Sequence, residues 1–155
     1  EFGITSLTED EKIDLNRAWH RLHPWSDSVP GLYRLKAKFI LGTMSNGNIA
    51  LMTNMAKFAG LPWDCILGAE VAKAYKPDPK TYLTGAELLD LPPERVMMVA
   101  AHQNDLLAAQ KVGLKTAFVP RPLERGAGNS PDLTPDPSFD VVATDFVDLA
   151  SQMGA

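Results

Sequence analysis

Four places in the chain put chemically able side chains where an apolar run ends. In "LGTMSNGN", Ser45, Asn46 and Gly47 offer a hydroxyl, an amide and free backbone N–H groups, a set suited to holding an anion. Lys76 in "YKPDP" is a cation set directly before a helix start. "VMMVAAHQNDLL" opens from Ala100 and Ala101 into a turn bearing His102 and Asp105. Pro120-Arg121 follows "KTAFV". The first three also have ordinary structural readings. These are a Ser-Asn-Gly turn capping the next helix, a solvated lysine, a hydrogen-bonded loop histidine, and an aspartate favoured at a helix N-terminus by the macrodipole.

The elements that must position these residues can be read from periodicity. "SLTEDEKIDLNRAWHRL" carries a helix start, with Thr8 and Glu11 spaced as a capping box and Leu15, Ala18, Trp19 and Leu22 on one face. A turn at Pro24 leads to a shorter helix that tolerates Pro30 in its first turn. Five apolar runs then alternate with helical stretches: "FILGTM", "CILGAEV", "RVMMVAA", "KTAFV" and "FDVVAT". The helix after Asn48 is expected to turn Ile49, Met52, Met55 and Ala59 inward and to end at Gly60. Asp78 and Pro79 begin another helix, and Asp145 caps the last. This alternation predicts an α/β fold, a Rossmann-like parallel sheet with helices on both faces. Ligands of such folds gather at the carboxyl ends of the strands. All four places fall there.

At 155 residues the chain suits one domain. Its net charge of −4, with no long basic run, argues against nucleic acid or an anionic membrane as partner and leaves a small molecule. Cys65 is the only cysteine, so no intrachain disulfide forms and a reducing cytoplasm is expected; in its apolar run it reads as a small buried hydrophobe. No stretch approaches the roughly 18 apolar residues that span a bilayer, and the acidic N-terminus does not read as a secretory signal.

As an ordered set these residues carry a resemblance. A strand ending in Ser45-Asn46-Gly47 is followed by Tyr75-Lys76-Pro77-Asp78, with Tyr82 six residues after the lysine, and then by a strand with His102 and Asp105 behind it. The order resembles motifs two to four of the haloacid dehalogenase superfamily, and within it the 2-haloacid dehalogenase branch. The likeness implies a core over residues 25–155, preceded at 1–24 by the remnant of an α-helical cap. It implies catalytic roles for Ser45 and Lys76, which would orient and charge-balance a nucleophilic aspartate, and for Asp105, which would pair with Lys76 and help position the hydrolytic water. Asn46 would hold the substrate, with Gly47, His102 and Tyr82 beside it; Tyr82 is either a supporting hydrogen-bond donor or a core aromatic. Where relatives carry Ser and Asn in motif four, this chain has Ala100 and His102.

In the phosphatase branches an acid at the position of Ala101 helps hold magnesium, so two alanines remove a ligand. The resemblance therefore implies neither metal nor cofactor, and hydrolysis of a short 2-haloalkanoic acid to a 2-hydroxy acid through an aspartyl ester. The alternatives are a phosphatase-like hydrolase of the same superfamily, or an inert module binding anions at Ser45, Asn46 and Lys76. The family's nucleophile lies in a D-x-x-G-T-like motif on a first strand ahead of the cap. No such motif precedes Ser45, and Asp145 lacks the following Gly-Thr. The expectation is an N-terminally truncated chain, inactive alone and lacking the strand that runs between those ending at Ser45 and Ala101. Two apolar edges would remain, to be paired directly or covered in a homodimer, the arrangement expected here.

Overall fold

The computed structural model describes residues 6–126 and 133–155; the middle of the proline-rich loop lies outside the described residues. The Thr8 hydroxyl accepts the Glu11 N–H while the Glu11 carboxylate accepts the Thr8 N–H, and this capping box starts helix α1 (Glu9–Arg17). A 3₁₀ turn over Ala18–Arg21 follows, then α2 (Ser28–Lys36), with Pro30 in its first turn. The expected inner face of the first helix does not pack. Leu15, Trp19 and Leu22 are 58%, 60% and 44% exposed, and α1 buries no residue. Contact with the rest of the molecule comes instead from the residues after α1. His20 Nδ1 lies 2.8 Å from Asn54 Nδ2, and the His23 ring meets Phe58 at 5.2 Å.

All five apolar runs form strands: β1 (Gly42–Ser45), β2 (Cys65–Gly68), β3 (Met97–Ala100), β4 (Lys115–Phe118) and β5 (Val141–Val142). Between and after them lie α3 (Ile49–Ala59), α4 (Ala69–Ala72), α5 (Pro79–Leu88), α6 (Gln103–Lys111) and α7 (Phe146–Gln152). Every strand pair is parallel, but the strands make two sheets, β1-β2 and β3-β4-β5. Among the described residues β1 and β3 do not pair with each other, so direct closure of the expected gap does not occur.

Side chains of β3 and β4 alternate between two cores, as a strand covered on both faces requires. Met97, Val99 and Ala117 join Leu32 and Leu35 of α2 and Leu149 of α7. Met98, Ala100 and Phe118 join Tyr82 of α5 and Leu106 and Ala109 of α6. The smaller sheet is packed onto the same two cores, through Leu41 and Trp63 on one side and Met44 on the other. Two glycines set close approaches: a Cβ at Gly31 would lie 2.5 Å from the Phe146 backbone, and one at Gly85 would lie 2.2 Å from Met44 Cε. On α3, Met52, Met55 and Ala59 are half-buried, whereas Ile49 is 44% exposed, against expectation. It occupies the first position of the helix, where the chain is still leaving the site turn. Gly60 ends the helix at φ 71° as a left-handed cap. Cys65 is half-buried, and burial, with the charge of Asp64, pushes its thiol up, which suits a filler rather than a nucleophile.

Asp27 is the N-cap residue of α2 yet makes no side-chain cap there. Its carboxylate accepts two bonds of 2.8 Å from Arg121 and one of 2.9 Å from the Phe146 N–H. The guanidinium also faces the rings of Trp25 and Phe146, at 5.5 and 5.4 Å. The pair is largely shielded from water, with both side chains 13% exposed. Burial pushes the Asp27 carboxyl up, but the bonds from Arg121 and Phe146 and the charge of Arg121 outweigh it, so its pKa falls below the usual 3.8. A depressed carboxyl contributes stability above its unfolded pKa and loses it as pH falls through the folded one. Arg121→Met is expected to cost roughly 2–3 kcal/mol in urea denaturation at neutral pH. Asp27→Asn should flatten the loss of stability seen below about pH 4.

Candidate active site

The loop before α5 and α5 itself converge on one carboxylate behind β3, and the turn after β1 braces that loop. Asp105 stands in the first turn of α6, where the macrodipole favours an acid. Its Oδ2 accepts from Lys76 Nζ at 2.5 Å and its Oδ1 from the Tyr82 hydroxyl at 2.6 Å. Lys76 and Asp105 are 16% and 14% exposed, and Tyr82 is fully buried. Tyr82 is therefore both a hydrogen-bond donor to the site and a core aromatic. Burial, then the bond to Asp105 and its charge, push the phenol well above its ordinary value of 10.0, so it stays protonated and donating.

Lys76 is held at its backbone as well as at its tip. Asn46 Oδ1 accepts the Lys76 N–H at 2.7 Å, and Asn46 Nδ2 donates to the Lys76 carbonyl at 3.2 Å. Asn46 thus works first as a clamp on the lysine. Its second amide hydrogen is uncommitted among the described residues and can still meet a ligand. Behind Lys76, Asp78 accepts the Lys80 N–H at 2.9 Å as N-cap of α5, with Pro79 in the first position. Thr81 donates to the Ala74 carbonyl at 2.9 Å and ties the loop to the helix.

Ser45 ends β1, and its Oγ accepts the Gly47 N–H at 3.0 Å, which folds the turn and leaves the hydroxyl proton to be given elsewhere. Gly47 packs close to α3: a Cβ there would come within 2.9 Å of Met52 Cε. Ala100 and Ala101 put half-buried methyl groups at the end of β3. Opposite Ser45 in the register is Gly68, at φ 141°, where a Cβ would meet the Ser45 carbonyl oxygen at 2.1 Å.

His102 has a protein partner of its own. It is the N-cap residue of α6 without a side-chain cap, and its Nε2 lies 3.0 and 2.9 Å from the two carboxylate oxygens of Glu124. Arg121, the fourth strand-end residue, is spent on Asp27. Two partners had no signal in the sequence: Glu124, and Glu70, which accepts the Ile49 N–H at 2.7 Å. Among the described residues no group of three or more His, Cys, Asp or Glu side chains is placed to hold a metal ion.

A family model described as haloacid dehalogenase-like hydrolase matches residues 2–113. The chain belongs to the haloacid dehalogenase-like hydrolases. Within that family it is 32% identical over 123 residues to (S)-2-haloacid dehalogenase 1 of Pseudomonas sp. (strain CBS-3), covering 77% of this chain and 54% of that one. Two crystal structures superpose with a TM-score of 0.93. The L-2-haloacid dehalogenase PA0810 is 49% identical, covering 96% of this chain and 64% of its own. The defluorinating L-2-haloacid dehalogenase Rha0230 is 51% identical, covering 97% and 62%. This haloacid dehalogenase-like chain therefore spans about half the length of the curated relative and under two thirds of either structure.

Because a buried phenol here serves a half-buried carboxylate, Tyr82→Phe is expected to lower stability by about 1.5 kcal/mol in urea denaturation at neutral pH. The sign at high pH follows from the raised pKa: the contribution is whole below about pH 10 and is lost as pH climbs towards the folded value. The phenylalanine variant should therefore show a flatter alkaline limb than the wild type.

Proposed function

We propose that the protein hydrolyses short 2-haloalkanoic acids to 2-hydroxy acids through an aspartyl ester, with no metal in the step. The observation that carries this reading is Asp105 held by Lys76 and Tyr82, with Ala101 four residues before it at the position where a phosphate-handling relative would carry a metal-binding acid. Haloacid dehalogenases at 49% and 51% identity support it, and their L designation supports the L enantiomer.

The chemistry divides into two displacements. An aspartate carboxylate attacks the α-carbon, the halide leaves with the bonding electrons, and water then attacks the ester carbonyl to free the hydroxy acid and regenerate the carboxylate. The attacking aspartate would belong to the part of the relatives that this chain does not cover. Lys76, with ammonium protons beyond the one given to Asp105, would balance and orient it, and Ser45 would donate its hydroxyl proton. Asn46 and the Gly47 turn would face the substrate, with Asp105 fixing the lysine and the water beside it. Residues 1–24 would be the return from a helical cap to a core over 25–155. A reducing cytoplasm suits the single, half-buried thiol.

Halide and phosphate release by a protein restored to the relatives' length, each with and without EDTA, tests the reading. Expected is halide release from L-2-haloacids that EDTA does not touch, falling by about 10²–10³ in Lys76→Ala. EDTA-sensitive phosphate release with no halide would establish the phosphatase alternative. Halide release by the 155-residue chain alone, at a full-length rate and abolished by Asp145→Ala, would place the nucleophile at the residue that here caps α7.

We also propose that the chain as it stands pairs with a second copy, since β1 and β3 each hydrogen-bond to one neighbour only among the described residues. Light scattering over a dilution series should give a dimer mass. A clean monomer at micromolar concentration overturns it.

A further inference from the structure

We propose that Glu70 is a positioning residue for Ser45 and Lys76, acting through the first turn of α3. A helix start leaves four backbone N–H groups without partners. Asn48 satisfies one of them locally, its Oδ1 accepting the Leu51 N–H at 2.7 Å. The N–H at the first helical position, that of Ile49, is instead taken by Glu70 Oε2 at 2.7 Å, from a different segment of the chain. A carboxylate there also meets the positive end of the helix.

What makes this more than a second cap is what lies on either side. Glu70 comes two residues after Gly68, whose backbone crowds Ser45 so closely that a Cβ would sit 2.1 Å from its carbonyl oxygen. The stretch from Gly68 to Glu70 therefore grips residues 45–49 at both ends, by contact at Ser45 and by hydrogen bond at Ile49. The residue between that reaches across is Asn46, and it reaches the Lys76 backbone. Displacement of the α3 start is thereby transmitted to the lysine that holds Asp105. Glu70 is exposed, lines an open cleft of about 300 Å³ with Asn46, Asn48, Lys73 and Tyr75, and belongs to neither hydrophobic core. Its removal leaves the packing of the molecule in place.

The inference rests on Lys76 being the working cation of the site, but its first test does not need activity. Amide hydrogen exchange is measured on the 155-residue chain as wild type, Glu70→Ala and Glu70→Gln. In Glu70→Ala the Ile49 amide should exchange about five- to tenfold faster. The Lys76 amide should move with it, while Ala117 in β4 keeps its protection and reports an intact core. Glu70→Gln keeps an acceptor and should restore both. An Ile49 amide that loosens while Lys76 stays protected, or neither amide responding, overturns the proposal. In a protein restored to full length, Glu70→Ala should lower kcat severalfold with KM little changed, and Glu70→Gln should recover it. If no dehalogenation is seen in any variant while the exchange result holds, it is the dehalogenase reading that has failed.

Discussion

The site depends on holding one largely buried carboxylate between two donors. Asp105 is 14% exposed, and a carboxylate so placed is tolerable only with donors on its oxygens. Both donors come from the other half of the molecule: Lys76 precedes α5 and Tyr82 lies on it, while Asp105 opens α6 behind β3. These bonds cross the line where, among the described residues, the two sheets share no backbone ladder. Assembling the charged site and joining the halves of the fold are in that sense one event, helped by Met44 lying over Gly85 and reaching the second core.

The neighbouring turns can be understood as supports for that pair. Lys76 has a long flexible stem whose freedom is costly to remove, and the fold limits it from both ends, with Asn46 on the backbone and Asp105 on the ammonium. Asn46 can do so because the Ser45 hydroxyl and Gly47 bend the chain there, and because Gly68 lets the next strand end press against Ser45. The alanines at the end of β3 add no competing charge. A second acid in that place would draw the lysine away from Asp105 or need a cation of its own.

What was legible in the sequence was whatever depends on local pattern. Five apolar runs became five parallel strands, Thr8 with Glu11 formed the capping box, and Asp78 with Pro79 began α5. Ser45 and Asp105 stand just past such runs and Lys76 just before a helix start, and it was their order, with Tyr82 six residues after the lysine, that carried the resemblance singling them out. Pairing over long separations left no such trace. Asp27 and Arg121 are 94 residues apart, and nothing local marks Glu70 for Ile49 or Glu124 for His102. Helical spacing likewise shows which residues share a face but not whether anything covers it, as Leu15 and Trp19 show.

Gly31 has a consequence for how this protein can change over generations. Glycine in a helix gives up about 1 kcal/mol of propensity relative to alanine, so drift alone would be expected to replace it. Yet here α2 rests on the Phe146 backbone with no room for a methyl group, and four residues earlier Asp27 needs that same spacing to reach both Arg121 and the Phe146 amide. A locally favourable replacement would therefore be selected against for its effect on a distant ion pair. Variation in α2 should collect instead at its outward residue Tyr33, and position 31 should stay glycine for as long as the arginine after β4 keeps its carboxylate.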